Sequence, residues 1–312
     1  MAVNNSLVQK PAQKVGLTAY LNQDAVRAQI NSIIGSKRGT SFITSIVSAV
    51  NANPALQECT NSSILSAALL GESLNLSPSA ALGQYWIIPR NNKKKGVKEA
   101  QFQLGANGYK QLAMRTGQYK DIDFIAVHEG EYKGRDRFTG KQTFEFIEDD
   151  DEREALPIIG YLAYFELTNG FRKMIYWTKT KMEKHANEYS DAFDINAYTK
   201  LKNGQIPKED LWKYSSPWYS DFEGMAEKTL LKSLLKKYGI LSTELITAVD
   251  SDMAIINEDG TRTYVETEEP IEGTASEVKA PEPEPAKAPE PTAQEEDEIT
   301  QMLFGEEALL HG

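Results

Sequence analysis

A short turn signal inside a long apolar stretch restricts the fold of this chain more than any other feature. Residues 160–167 (GYLAYFEL) and 171–178 (FRKMIYWT) both alternate in polarity, and Thr168-Asn169-Gly170 separates them. Asn-Gly between two alternating apolar runs is the strongest short-range signal for a β-hairpin. The sequence therefore predicts an antiparallel sheet, which excludes a purely helical architecture.

A second pattern predicts a long helix further along the chain. Residues 220–223 (SDFE) have the form of a capping box and Gly239 supplies a stop, so residues 221–238 should form about five helical turns. Side chains four residues apart lie on one face of a helix. The lysines of this helix should therefore form a row with one neighbour beside it: Lys228, Lys232, Lys236 and Lys237.

Shorter patterns complete the secondary-structure prediction. Helices are predicted over residues 25–34, 41–52, 62–74 and 108–116, and a capping box at Thr180 to Glu183 begins another that ends at about Tyr189. Strands are predicted over residues 84–89, 100–104, 122–127, 137–139 and 143–147. Residues 190–219 are aromatic and show no regular period. These patterns predict N-terminal helices, antiparallel strand hairpins and a long basic helix.

The stretch from Ser73 to Gly96 (SLNLSPSAALGQYWIIPRNNKKKG) passes from apolar residues to a cluster of cations. Aromatic residues in a strand lie in the core more often than on the surface, so we expect Tyr85 and Trp86 to be buried, although both could stack on bases. The apolar part should anchor a strand in the body. The basic loop after it could contact phosphate or could only solubilise a hairpin tip.

The net charge of −11 conceals two regions of opposite character. Residues 258–312 contain 16 of the 45 acidic and 3 of the 34 basic side chains, so residues 1–257 keep 29 acidic and 31 basic ones. A body of about +2 can carry local basic surfaces, and the acidic total does not argue against a polyanion partner. The expected organisation is a flexible arm at 1–16, a folded body at 17–255, a disordered Pro/Glu-rich linker at 256–294 and an acidic, partly apolar interaction segment at 295–312.

Several kinds of chemistry lack their residues in this sequence. The histidines His128, His185 and His311 have no second ligand at metal-site spacing, and no P-loop motif occurs. The single Cys59 cannot form an internal disulfide, and no signal peptide or membrane span is visible, so a cytoplasmic protein without a membrane partner is expected. The acidic run at 148–154 could hold Mg²⁺ as a nuclease does, but a solvated loop is the better interpretation.

Three blocks of the sequence, in order across roughly residues 25–250, resemble the RecT family of phage and prophage single-strand annealing proteins. The blocks are LNLSPSAALGQ at 74–84 followed by an aromatic strand and Pro89, FQLG at 102–105 followed by QLA at 111–113 and RTGQ at 115–118, and residues 217–238 with Pro217-Trp218, Asp221-Phe222, Met225-Ala226, Lys228-Thr229 and LLKKY. Family members commonly have Gly-Tyr-Arg/Lys-Gly where this chain has Gly105-Ala106-Asn107-Gly108. Tyr109 and Lys110 would have to substitute there.

The resemblance implies an ATP-independent protein that binds single-stranded DNA, anneals complementary strands, and assembles into rings or filaments on the annealed duplex. It implies an α+β core fold in which a strand hairpin and a long helix form a DNA groove. No cofactor is expected to be required, and Mg²⁺ is expected to modulate the activity through the DNA. A phage exonuclease and the single-strand binding protein of the bacterial host are the expected partners. No catalytic site is implied, so the chain is not expected to be an enzyme.

We expect phosphate contacts without base readout, because an annealing protein must leave base edges free to test a partner strand. The predicted DNA-binding residues are Arg90, Lys93, Lys94, Lys95, Lys98, Gln103, Tyr109, Lys110, Arg115, Lys228, Lys232, Lys236 and Lys237. The cations from Arg90 to Lys98 are predicted to form one wall of the groove. Two alternatives from other classes stay open: a metal-dependent nuclease that uses the acidic run at 148–154, and a replication or recombination scaffold that acts through its tail.

Overall fold

The computed structural model describes residues 15–190 and 192–264, which form an α+β fold as predicted. The helices, numbered in chain order, are α1 (Leu17–Leu21), α2 (Asp24–Ile34), α3 (Ser36–Ala52), α4 (Asn61–Ser73), α5 (Ala106–Arg115), α6 (Asp150–Glu154), α7 (Lys179–Tyr189), α8 (Ile195–Lys202), α9 (Pro217–Ser220), α10 (Phe222–Tyr238) and α11 (Thr243–Ser251). The strands are β1 (Tyr85–Asn92), β2 (Val97–Leu104), β3 (Tyr119–His128), β4 (Tyr132–Arg135), β5 (Gln142–Phe144), β6 (Ile158–Leu167), β7 (Arg172–Thr178), β8 (Ile255–Ile256) and β9 (Arg262–Thr263). Most of the arm predicted at 1–16, most of the linker and all of the segment at 295–312 lie outside the described residues.

The hairpin expected at Thr168-Asn169-Gly170 is confirmed and builds the main sheet. Strand β6 pairs antiparallel with β3 on one side and β7 on the other. Gly170 has a φ of 85°, a conformation that glycine adopts without steric cost, and its N–H donates to the Leu167 carbonyl at 2.9 Å. Alternate β6 residues are buried on one face of the sheet, and α10 packs across that strand.

Helix α10 ends at Tyr238 as predicted but begins at Phe222, one residue later than predicted, and its capping residue differs. Asp221, rather than Ser220, is the N-cap, and its carboxylate accepts a hydrogen bond from the Gly224 N–H at 3.0 Å. The helix ends at Tyr238, and Gly239 follows it as the C-cap. A Cβ at position 239 would lie 2.6 Å from the Tyr119 hydroxyl, so the close packing there requires glycine. This packing holds the end of α10 against the beginning of β3.

The region at 190–219, expected to be irregular, is more ordered than its sequence pattern suggests. It contains α8, α9 and a 3₁₀ helix at Lys208–Tyr214. Short helices of this kind are too brief to show a clear hydrophobic period, and aromatic packing holds them in place. The rings that meet here belong to Phe193, Tyr198, Trp218, Tyr219 and Phe222.

Two local predictions were wrong for the same physical reason, a side-chain cap. Thr178, not Thr180, caps α7, because its hydroxyl accepts from the Lys181 N–H at 3.2 Å. Residues 137–139 form a turn instead of a strand, since the Asp136 carboxylate accepts from the backbone N–H of Phe138 at 2.8 Å and of Thr139 at 2.7 Å. Such local hydrogen bonds compete directly with strand pairing.

Strands β1 and β2, of eight residues each, form a hairpin that includes more of the basic loop than predicted. Asn91 pairs with Lys98 and Asn92 with Val97, so the connecting turn is only residues 93–96. Helix α4 packs on the hairpin and buries the ring of Tyr85. The hairpin is therefore rigidly attached to the body along its whole apolar face.

The folded region extends beyond the predicted boundary at residue 255. Ile255 is buried and begins the small β8–β9 hairpin, which reaches Thr263. Just before it, Ala254 pairs with Phe102 of β2. The linker prediction from 256 onward was thus wrong for the residues up to 264, because two-residue strands are too short to give a periodic signal. Within the described ranges, no helix has both the length and the apolar character needed to cross a bilayer.

Candidate nucleic-acid interface

The β1–β2 hairpin has one face that carries the residue types used to hold single strands. Alternation along β1 places Trp86, Ile88 and Arg90 on this face, opposite Gln103, Gln101 and Glu99 of β2. Tyr85 is buried as predicted, but Trp86 is 39% exposed, so the burial prediction for Trp86 was wrong. The alternation of QYWIIPR could have separated the two aromatic residues.

Arg90 is held in position on this face by a neighbouring glutamine. Its Nε donates to the Gln101 Oε1 at 3.2 Å, and the Gln101 amide donates in turn to the Met253 carbonyl. Gln101 is buried, whereas Arg90 keeps part of its surface in solvent. The guanidinium is therefore oriented by the body of the protein while it stays accessible.

A single buried carboxylate, Asp252, joins this hairpin to α10. Its oxygens accept from the Leu104 N–H at 3.0 Å and the Tyr109 hydroxyl at 3.1 Å. They also accept from the ammonium groups of Lys228 at 3.2 Å and Lys232 at 2.8 Å. A buried carboxylate of this kind is stable only when its charge is compensated and its lone pairs are hydrogen-bonded. Both conditions are met here.

The charges around Asp252 shift two pKa values. Burial alone would raise the pKa of Asp252, but Lys228 and Lys232 outweigh it and lower that pKa to about 2. Burial lowers the pKa of Lys228, and the nearby cations Lys232 and Arg90 lower it further, against the attraction of Asp252. Two ammonium groups thus contact one carboxylate, and Arg90 lies close enough to Lys228 to lower its pKa.

The lysine row predicted on α10 divides into two parts. Lys228 is buried and Lys232 is one-third exposed, and both are ion-paired with Asp252. Lys236 continues the row one turn further and is exposed, as is Lys237 beside it. The first two lysines therefore hold α10 to the hairpin, whereas the last two are free to meet a ligand from solvent.

A further cation and aromatic ring lie next to this row, in the segment expected to be linker. Arg262 of β9 donates its Nε to the Ser251 hydroxyl at 2.7 Å. The neighbouring Tyr264 is half exposed and donates to the Asp250 carbonyl; its pKa is raised by burial, against the influence of Arg262 and Lys232. We call Trp86, Arg90, Gln103, Lys232 and Arg262 together the basic face.

Tyr109 does not belong to a DNA-contacting surface. Its side chain is 0% exposed, and its hydroxyl donates to Asp252. Burial, with the Asp252 charge, raises its pKa well above the usual value. The sequence prediction that Tyr109 binds DNA is corrected on this ground, and Tyr109 cannot replace the aromatic residue that is absent at Ala106-Asn107.

Lys110 and Arg115 also have partners inside the protein. Lys110 makes ion pairs with Asp123 at 2.9 Å and Glu227 at 2.8 Å, and these carboxylates raise its pKa although burial alone would lower it. Arg115 donates to the carbonyls of Leu74 and Asn75 at 2.9 and 2.8 Å, just after the end of α4. Cations near a helix C-terminus satisfy its unpaired carbonyls. For both residues DNA contact stays a prediction.

The basic cluster after β1 does not form one wall. Lys98 pairs with Asn91 and lies on the opposite face of the hairpin from Arg90, where it forms an ion pair with Glu58. Lys95 forms an ion pair at 2.9 Å with the buried Glu99. Lys93 and Lys94 are exposed in the turn. Only the turn lysines extend from the end of the hairpin toward solvent.

The acidic run at 148–154 contributes to local structure. Asp149 caps α6 by accepting from the Glu152 N–H at 2.9 Å. Arg153 forms an ion pair at 2.6 Å with the fully buried Glu131, which also accepts from the His128 N–H at 2.7 Å. Over residues 15–190 and 192–264, no three His, Cys, Asp or Glu side chains come together as a metal site would require.

The sequence of this chain is similar to those of known proteins. The sequence profile of the RecT family matches residues 40–270. The chain is 37% identical over 308 residues to the uncharacterized protein YqaK of Bacillus subtilis (strain 168). The aligned region covers 95% of this chain and 94% of YqaK. It is 27% identical over 243 residues to protein RecT of Escherichia coli (strain K12), which covers 75% of this chain and 79% of that protein.

Proposed function

Because this chain belongs to the RecT family, whose members act in phage-type single-strand annealing, we propose that it binds single-stranded DNA on the basic face and anneals complementary strands without nucleotide hydrolysis. The annealed duplex is the product that stays bound. Lys236 and Lys237 extend the phosphate-binding path along α10.

The observation that carries this proposal is the anchoring of two lysines by one buried carboxylate beside an exposed tryptophan and a fixed arginine. Asp252 bonds to Leu104 at the end of β2 and to Lys228 and Lys232 of α10. Leu104 pairs with Tyr85, the residue next to Trp86. One carboxylate therefore fixes two cations of α10 at the end of β2, the strand that pairs with β1, and β1 carries Trp86 and Arg90. Groups that are fixed in advance lose less entropy when a strand is ordered on them.

The chemistry of the basic face suits sequence-independent binding. Cations bind phosphates through counterion release and contribute affinity without reading bases. An exposed aromatic ring stacks on any base, because every base has a π-face. Trp86 supplies the ring, and Arg90, four residues further along β1 on the same face, supplies a cation. Gln103, opposite Trp86, can donate or accept a hydrogen bond. The Watson–Crick edges of a strand held in this way stay available to a second strand.

We further propose that the protein works as a homo-oligomer in a ring or filament, within the cytoplasm of a bacterial host. A phage exonuclease would supply the single strands, and the host single-strand binding protein would be displaced from them. Mg²⁺ would act through the DNA. These expectations rest on the family relationship.

Annealing of two complementary labelled oligonucleotides tests the proposed function directly. In EDTA and without nucleotide, the protein should accelerate duplex formation and the rate should fall as salt is raised. ATP should not change that rate. A protein that leaves the annealing rate unchanged contradicts the proposal, and cleavage of the labelled strand on addition of Mg²⁺ would favour the nuclease alternative.

Replacing Trp86 by alanine should weaken binding of single strands by about 1–3 kcal/mol, since one stacking platform is removed. The loss should be similar for oligonucleotides of different sequence and should be largely recovered in Trp86→Phe. Fluorescence anisotropy measures the affinity, and thermal unfolding checks that the variant is folded. Trp212→Ala, at a more exposed tryptophan in the 3₁₀ helix, is the matched control. Equal losses in the two alanine variants would contradict a specific role for Trp86.

A further inference from the structure

The apex of the β4–β5 hairpin presents a phenylalanine entirely to solvent. Phe138 is 98% exposed, more than any other large apolar side chain in the described part of the chain. It belongs neither to the basic face nor to the hydrophobic core. A single exposed apolar side chain does not by itself mark an interaction site, so the neighbours of Phe138 decide whether this apex can bind a ligand.

Hydrogen bonds fix the backbone of the apex that carries this ring. The Asp136 carboxylate fixes the N–H groups of Phe138 and Thr139, and the Asp136 N–H donates to the Lys141 carbonyl at 2.8 Å. Gly140 closes the turn with a φ of 72°. The hydrogen bonds to Thr139 and Phe138 also hold the pKa of Asp136 below its usual value. The turn is therefore preorganised around an exposed ring.

The base of the hairpin is attached to the main sheet by aromatic stacking. The ring centroid of Tyr176 in β7 lies 4.9 Å from that of Tyr132 and 5.4 Å from that of Phe144. The β4–β5 hairpin comes directly after β3, which ends at His128. Helix α5 comes directly before β3 and contains Tyr109, whose hydroxyl donates to Asp252. The apex is thus a separate feature at the other end of β3.

Cations surround the exposed ring. Residues 132–144 contain Lys133, Arg135, Arg137 and Lys141 but only one acidic residue, Asp136. Lys133 forms an ion pair with Glu145 at 3.2 Å. An Asp136 carboxylate oxygen accepts hydrogen bonds from backbone N–H groups of the turn. Arg135, Arg137 and Lys141 are exposed beside Phe138. The apex therefore combines one aromatic face with three cations.

This combination favours one class of ligand over another. A stable protein–protein interface buries roughly 800 Å² on each partner and has an apolar centre. The apex offers only one phenyl group, and cations surround it. A single strand of nucleic acid requires a ring to stack on a base and cations next to it for phosphates. Charge complementarity thus identifies a polyanion with stackable bases as the occupant.

We propose that the β4–β5 apex is a second contact site for single-stranded DNA, in which Phe138 stacks on a base while Arg135, Arg137 and Lys141 contact phosphates. The proposal rests on the proposed function and adds to it a contact outside the basic face. Annealing brings two strands onto one protein, and a second site gives the incoming strand a place to bind before it pairs.

Photo-crosslinking to oligonucleotides that carry 5-iodouracil tests the site on the full-length protein. Mass spectrometry should find crosslinked DNA on the peptide that contains Phe138, and the Phe138→Ala variant should lose this adduct. The same variant should bind single strands roughly tenfold more weakly. Arg137→Gln should reduce the slope of log K against log salt by about 0.7, the value for one phosphate contact of a single strand. Phe171→Ala, at another exposed phenylalanine on the β6–β7 turn, is the control. It should change neither the affinity for single strands nor the slope of log K against log salt.

The outcomes separate this proposal from the proposed function. If the wild-type protein anneals strands but Phe138→Ala keeps the affinity and no adduct forms at the apex, the second site is overturned and the annealing function stands. If Phe138→Ala instead changes the sedimentation of the DNA-free protein without changing DNA affinity, the apex is a contact between protein chains and the proposal is wrong. If the wild-type protein neither binds nor anneals strands, both proposals fail. Thermal unfolding of Phe138→Ala should match the wild type, because the side chain has no core contacts to lose.

Discussion

Replacing Asp252 by asparagine is expected to lower the free energy of unfolding by about 3 kcal/mol, the cost of breaking a buried ion pair on one side. The asparagine cannot compensate the ammonium of Lys228, whose own pKa is already lowered by burial. The amide can accept hydrogen bonds at one atom only, so some of the groups that now donate to Asp252 lose their partner. Chemical denaturation of the variant and the wild type measures the difference.

The difference in free energy of unfolding between the wild type and Asp252→Asn should become smaller at acidic pH. Asp252 has a pKa of about 2 in the folded protein, against about 3.9 for an unperturbed aspartate in the unfolded chain. A lowered folded-state pKa gives stability that is fully present above about pH 4 and is lost as the pH falls toward 2. The gap between wild type and Asp252→Asn should therefore be constant above about pH 4 and should narrow below it.

Asp250→Asn provides the control, because Asp250 lies two residues before Asp252, in the last turn of α11, and is exposed. Its stability should stay within about 0.5 kcal/mol of the wild type, as is usual for surface substitutions. If Asp252→Asn is as stable as Asp250→Asn, the carboxylate does not hold α10 to the hairpin. DNA affinity should also fall in Asp252→Asn, since Lys228 and Lys232 lose their fixed positions.

The double variant Lys236→Gln, Lys237→Gln is expected to bind single-stranded DNA roughly twentyfold more weakly at 0.1 M salt, because each phosphate contact contributes about 0.7 to the slope of log K against log salt. That slope should fall by about 1.4. Both lysines are exposed at the end of α10, and glutamine is a good helix former, so the fold should be unaffected. Lys232 is a poorer choice because its ion pair with Asp252 would mix stability with binding.

A variant with the same charge change elsewhere provides the comparison. Lys37→Gln together with Lys208→Gln also removes two exposed cations, one at the beginning of α3 and one in the 3₁₀ helix. If the affinity depends only on net charge, both double variants will weaken binding equally. If α10 contacts the strand, only the Lys236 and Lys237 variant will change the salt slope.

The elements predicted most accurately are those whose signals are local. The Asn-Gly turn determines the β6–β7 hairpin because it suits only a few backbone conformations. Gly239 marks the end of α10, and Gly117 that of α5. Elements whose boundaries depend on a competing cap or on distant packing were misplaced. A competing side-chain cap explains the capping of α7 by Thr178 in place of Thr180 and the turn at 137–139. Distant packing explains the short strands β8 and β9.

The sequence alone determined the α+β class, the main hairpin, the long helix and the family resemblance, since these depend on periodicity, caps and turn residues close together in the chain. Only the tertiary structure decided which cations face solvent. Lys228, Lys232 and Lys236 are equivalent in their spacing, yet Asp252 pairs with the first two because β2, α5 and the end of α11 place its carboxylate there. Partners separated by 20 or more residues leave no local pattern, so a row of lysines in sequence became two structural anchors and one exposed cation.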